Sequence, residues 1–161
     1  MGYREYRTLG KSTKLPAMIG FQAAGAAPIF YSRVIEKPET VASAIRIGNP
    51  ASWKQASAAI AESQGVIDLV SDQEILDAQS WLAEHEGIFV EPASAASIAG
   101  LFKCCKSNEA AYSIRKIPED SRIVCTVTGH GLKDPEIITA QIKELKPVPA
   151  TLNDVRRAVE L

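Results

Sequence analysis

The chain has 161 residues, 18 of them Lys or Arg and 19 Asp or Glu, for a formal net charge of −1, with 46% apolar and 23% charged residues. This is the composition of a globular domain with enough apolar side chain for a core. It lacks the cationic excess that holds proteins on nucleic acid or on an anionic membrane surface, so neither partner is expected. No apolar run reaches the roughly 18 residues of a membrane span, and the stretch from Met1 to Arg7 has no apolar signal core, so a cytoplasmic location is expected. Cys104, Cys105 and Cys125 lack C-x-x-C spacing and read as small buried apolar side chains. His85 and His130 sit in no metal-ligand spacing, so no metal is expected.

In chain order, Gly2 to Lys14 is polar with Tyr3, Tyr6 and Leu9 interspersed, the pattern of a helical piece whose partners lie elsewhere. Ala17 to Phe21 reads as a buried strand. It leads into Gly20 to Pro28, where small residues suit either backbone lying against something flat or bulky, or close packing of helix on sheet. Arg46 and Asn49 place a cation and an amide near helix ends, an arrangement that a phosphate-bearing substrate could use, with a solvated surface arginine as the default reading. Asn49-Pro50 offers an N-cap and first-turn proline for a helix through Trp53, Ala56 and Ile60 that stops at Gly65.

Val66 to Val70 is the next predicted strand. Ser71-Asp72-Gln73-Glu74 has the form of a capping box, opening a helix with Ile75, Leu76, Gln79, Leu82 and Ala83 on one face and Gly87 at its end. Ile88 to Glu91 reads as a third strand, and a helix follows from Ser94 to Cys105. A fourth strand is predicted over Ile123 to Val127, then a helix from Pro135 to Leu145. Pro147-Val148-Pro149 forms a stiff linker before a last helix, Asn153 to Leu161. Strands alternating with helices point to an α/β fold, a mainly parallel sheet with helices on both faces.

Ligands of such sheets bind beyond the carboxyl ends of the strands, which directs attention to two places. One is Thr128-Gly129-His130-Gly131-Leu132-Lys133-Asp134, a hydroxyl followed by a glycine-bracketed turn, readable as a ligand-facing group or as an ordinary strand-to-helix turn. The other is Glu91-Pro92-Ala93-Ser94-Ala95-Ala96-Ser97, where Ser94 either opens an anion-holding helix start or simply caps its helix. Glu91, a carboxylate at a buried strand end, requires a donor or a cation beside it. The P-loop, G-x-G-x-x-G and G-x-S-x-G signatures do not occur.

Taken together, Gly20 to Pro28, Ala44 to Trp53, Val90 to Ser97 and Thr128 to Asp134 resemble, in order and spacing, the C-terminal part of the threonine synthases. The resemblance runs from Met1 to about Pro135 and is expected to fade beyond Lys146. It implies residues 1–146 as a partial, incomplete large domain of the type II pyridoxal-phosphate fold, with 147–161 a linker and short helix. It implies a lyase that converts O-phospho-L-homoserine and water into L-threonine and phosphate on pyridoxal 5'-phosphate. In that family the threonine of the T-G-H-G motif contacts the pyridine nitrogen, which makes Thr128, with Gly129 as its backbone neighbour, the expected cofactor-binding residues. The family's Schiff-base lysine and its G-N-A-G-N phosphate loop precede the matched region. No G-N-A-G-N occurs here, so no catalytic residue is assigned and the chain alone is expected to be inactive. Lys133, the lysine inside a matched motif, is not the Schiff-base position and reads as a surface or structural group. Expected partners are O-phospho-L-homoserine in the complete enzyme, a separately encoded N-terminal half, and a second copy as a homodimer. The competing readings are another enzyme of the same fold, such as a threonine dehydratase, or a non-catalytic remnant or split-protein half.

Overall fold

Val66 to Val70 is rich in β-branched residues and bounded by Gly65 and Ser71, and in the computed structural model, which describes residues 2–106, 117–141 and 147–159, it is strand β2, Val66–Val70. Its partner β1, Ile19–Ala23, lies parallel to it in register from Ile19 opposite Val66 to Ala23 opposite Val70. The strand expected over 17–21 thus forms two residues later, because pairing is available only where the β2 backbone runs alongside. Gly65 sets where the strands start: a Cβ there would overlap the Met18 carbonyl.

Seven α-helices accompany the strands: α1 Gly2–Thr8, α2 Pro28–Tyr31, α3 Trp53–Glu62, α4 Asp72–Glu86, α5 Pro92–Lys106, α6 Pro135–Gln141 and α7 Leu152–Ala158 among the described residues. Short 3-10 turns occur at Ser43–Ile45 and Gly131–Lys133. Successive strand residues face opposite sides. A Cβ built on Gly20 would meet Ile60 of α3, whereas the neighbouring Phe21 ring lies against Gly100 of α5. Helices therefore cover both faces of the pair.

α4 forms as its sequence predicts. Ser71 Oγ accepts from Glu74 N while Glu74 returns to Ser71 N, and Gly87 closes the helix at φ 66. Its inward face places Ile75, Ala78 and Leu82 in the core. They meet the small stripe Ala95, Ala96 and Ala99 of α5, and Val70 at the end of β2 completes the cluster. Each large aliphatic side chain buried here contributes about 1.5–3 kcal/mol, so this helix pair carries most of the described core. α1 and α7 bury no residue, in keeping with the partnerless pattern of Tyr3, Tyr6 and Leu9.

Several expectations are corrected. Ile88 to Glu91 is not a strand of a parallel sheet; Val90 makes an isolated antiparallel bridge with His130. Ile123 to Val127 runs between turns without a partner strand among the described residues, and Val124 is 79% exposed. The apolar pattern is present in both, but a strand exists only where another backbone answers its hydrogen bonds. α3 starts at Trp53, not at Asn49-Pro50, because Gly48 is drawn against the Ile35 carbonyl and Gly48 O accepts from Ile35 N at 3.0 Å. Cys105 is exposed, while Cys104 and Cys125 are half-buried. Adjacent helical positions diverge by about 100°, so Cys104 and Cys105 cannot both face the sheet. The helix expected over 135–145 is described as far as Gln141, and its remainder lies outside the described residues.

Candidate active-site wall

The antiparallel bridge at Val90 and His130 brings together the two stretches singled out above, which are more than thirty residues apart in sequence. Glu91 N donates to Gly129 O at 2.9 Å, and Gly131 N donates to Phe89 O at 3.2 Å. Gln79, buried in α4, fixes the same strand end by donating from Nε2 to Val90 O at 2.7 Å. Glycine is required on the opposite side: a Cβ at Gly131 would overlap the Phe89 ring, and one at Gly129 the Glu91 carboxylate. His130 caps the 3-10 turn, its Nδ1 accepting from Leu132 N at 3.2 Å, so that nitrogen is the unprotonated one.

Ser94 is the hub of the site. It is 2% exposed, and its Oγ accepts from Thr128 N and Gly129 N, both at 2.9 Å. Its side chain therefore does not cap its own helix, one of the roles its sequence position allowed; α5 starts two residues earlier, at Pro92. Ser97 Oγ, one turn on, lies 3.2 Å from both Ser94 O and Thr126 O, so α5 also touches the stretch before Thr128. The hydroxyl of Thr128 lies 3.0 Å from Ser94 Oγ and 3.4 Å from Glu91 Oε1, on an exposed residue.

Glu91 finds the cation that its burial demanded. Lys133 Nζ lies 2.7 Å from Glu91 Oε2, without the alignment of a hydrogen bond, so charge attraction holds the pair. The carboxylate side is 2% exposed and the ammonium side 54%, which puts a buried charge against a half-solvated one. Lys133 is thus tied to the Glu91 carboxylate by an ion pair.

Arg46 and Asn49 are not brought into this cluster by any described contact. Arg46 Nε donates to Thr40 O at 2.9 Å and braces its own loop, and Asn49 is exposed. The loop is fastened at its base, where Asp72 accepts from Thr40 Oγ1 and from Val41 N, and it reaches the T-G-H-G turn through Ser43 Oγ, which donates to Asp134 Oδ2 at 2.7 Å. The close backbone approach foreseen for Gly20 to Pro28 is to the chain itself: Gly25 lies against the Glu39 carbonyl.

The family profile described as "Pyridoxal-phosphate dependent enzyme" matches residues 2–129. The chain belongs to that family. Within it, threonine synthase of Mycobacterium tuberculosis is 50% identical over 148 residues, covering 92% of this chain and 39% of the relative. That of Halalkalibacterium halodurans is 54% identical over 141 residues, covering 88% and 38%. The Methanosarcina acetivorans protein is 44% identical over 98% of the chain, so the resemblance reaches past Lys146, where it was expected to fade. The chain spans about 39% of the length of these curated relatives. Among solved structures, a T.th. threonine deaminase aligns with TM-score 0.45 at 22% identity, over 53% of this chain and 29% of that one.

Members of this family work on pyridoxal phosphate, and the donor set on this wall suits one edge of that cofactor. An uncharged hydroxyl is exposed at Thr128, its backbone is fixed by Ser94, and the nearby carboxylate is already matched by Lys133. The lysine of the turn is engaged with Glu91, and no described residue of this cluster is placed to cradle a phosphate group. Burial pushes the Cys104 and Cys125 thiols up, with Cys105 and Asp68 adding to the effect at Cys104.

Sequence reasoning missed the joint grip of Ser94 on Thr128 and Gly129, and the pairing of Lys133 with Glu91. Each motif carried its own signal, a small hydroxyl at a buried helix start and a carboxylate in want of a cation. Neither signal names the partner.

Proposed function

We propose that this chain supplies the ring-nitrogen wall of a threonine synthase, with Thr128 and Gly129 as its cofactor-binding residues, in an enzyme that converts O-phospho-L-homoserine and water into L-threonine and phosphate. Residues 1–146 would form part of the large domain and 147–161 a linker and closing helix. The observation that carries the reading is the Thr128 hydroxyl, exposed beyond an apolar run while its backbone N–H is tied to buried Ser94 at 2.9 Å. About 50% identity to threonine synthases supports the same assignment. When bound, pyridoxal phosphate supplies the electron sink for carbanion chemistry. This chain's part would be to hold one ring edge: Thr128 would offer the ring nitrogen a neutral hydroxyl, Gly129 allows the turn to sit on Glu91, and Lys133 offsets the charge of that carboxylate.

On this reading the remainder of the catalytic machinery comes from other residues of the complete enzyme, either a separately encoded N-terminal half or a longer form of the same chain, in a homodimer. The exposed apolar residues Ile123, Val124 and Leu132, beside backbone that no described strand pairs, support such a partner. Three free thiols are in keeping with a cytoplasmic protein. Phosphate release from O-phospho-L-homoserine with added cofactor tests the assignment. The chain alone should give none, and mixing it with a polypeptide carrying the lysine and phosphate loop should restore release, which Thr128→Val should then reduce. Turnover by the chain alone, or none after a stable complex has formed, overturns it.

A further inference from the structure

We infer that Asp68 and Lys103 close the outer edge of β2 to strand addition, so that a second copy of this chain does not extend the sheet on that side. The pairing pattern fixes which groups face that edge. Val66 N donates to Met18 O and Ala24 N donates to Val70 O, so Val66 and Val70 turn their backbone groups toward β1. In a parallel ladder these groups alternate along the strand, which places Asp68 with them and turns the N–H and C=O of Ile67 and Leu69 the other way. Both outward groups of Leu69 are taken by side chains. Leu69 N donates to Asp68 Oδ1 at 2.7 Å, and Leu69 O accepts from Lys103 Nζ of α5, also at 2.7 Å. Ile67 is then the remaining outward residue of β2, and one residue offers a single donor and a single acceptor, too short a run for a ladder.

A strand arriving at this edge would have to displace both bonds and then cover a carboxylate and an ammonium, each costly to strip of water. The closure also accounts for two charges that the T-G-H-G wall does not use. Asp68 is the charged residue of the otherwise apolar strand Val66–Val70, which has helices on both faces. At an edge such a carboxylate finds a backbone N–H; between two further strands it would not. Lys103 lies about one turn beyond Gly100, where α5 meets the Phe21 ring, so its long side chain spans from that helix to β2. The opposite edge has no such guard: the backbone groups of Phe21 face away from β2 and meet no partner among the described residues. The sheet is therefore asymmetric, closed beside β2 and open beside β1, whatever Thr128 contacts.

The test combines Lys103→Met and Asp68→Ala in the full chain, which frees both Leu69 groups while keeping most of the apolar bulk of the lysine stem. Amide hydrogen exchange followed by NMR, at low and at high protein concentration, reads the edge at the Ile67 N–H. An amide covered in nine copies of ten exchanges about tenfold more slowly. Slowing of that order should appear at Ile67 in the double variant as concentration rises and be absent in the unsubstituted chain. Sedimentation equilibrium on the same samples should show the variant associating more strongly. An Ile67 rate independent of concentration in the variant overturns the inference, and so does equal slowing in both proteins. Stronger association that protects Phe21 but leaves Ile67 unchanged overturns it as well. The amides of Val66 and Ala24, which hold β1 to β2, report whether the sheet itself is intact. Should the double variant lose protection there, Lys103→Met alone decides by the same comparison.

Discussion

Gly129→Ala tests the packing that holds this wall together. A Cβ at this position would lie 2.8 Å from Glu91 Oε2 and overlap Oε1 and the carboxylate carbon outright. Glu91 has little room to retreat, being 2% exposed, with its backbone N bonded to Gly129 O at 2.9 Å. Overpacking of a tight site costs about 1–3 kcal/mol. If the carboxylate swings away from Lys133 to relieve the clash, part of a buried ion pair is lost as well; because the ammonium is half-solvated, this adds about 1 kcal/mol and not the full cost of breaking a buried pair. The total, about 2–4 kcal/mol, is a large part of the stability of a domain of this size. Urea denaturation followed by circular dichroism measures it, with Gly2→Ala as the control, since a Cβ there meets nothing within 4 Å. Glu91→Ala should relieve most of the penalty, so the double variant should be far less destabilised than the sum of the two singles. Additive losses, or a Gly129→Ala midpoint indistinguishable from that of Gly2→Ala, would refute the argument that this glycine exists to seat the carboxylate.

Ser71→Ala removes one half of the reciprocal cap on α4 and should cost about 1 kcal/mol in the same urea titration, whereas Ser71→Asp should keep most of it. The cysteines should separate by chemistry: at neutral pH, mass spectrometry after brief iodoacetamide treatment should find Cys105 alkylated well before Cys104 or Cys125. Because the folded state raises the Cys104 and Cys125 thiol pKa values, it holds those protons more tightly than the unfolded chain does. Their contribution to stability is fully present below the unfolded thiol range and is lost as pH rises through it toward the folded values. The urea midpoint should therefore fall as pH rises above about 8, and less steeply in a Cys104→Ala, Cys125→Ala variant.

What the residues alone determined is whatever depends on neighbours in the chain. The ends of α4 follow from the Ser71 and Glu74 cap and from Gly87, because a capping hydroxyl and a left-handed glycine act within one turn. The strand at Val66 to Val70 follows from its side-chain pattern. The resemblance at the T-G-H-G turn likewise rests on contiguous residues. Tertiary structure decided everything that needs two distant segments to meet: that Val90 would bridge His130 in antiparallel fashion, that Ile123 to Val127 would find no partner among the described residues, and that Lys133 would be the cation Glu91 requires. It also decided that Ser94 would serve Thr128 and Gly129 and not its own helix. The physical reason is that a pattern states what a segment needs, a buried face, an acceptor or a counter-charge, while only the path of the backbone through space determines which residue answers that need.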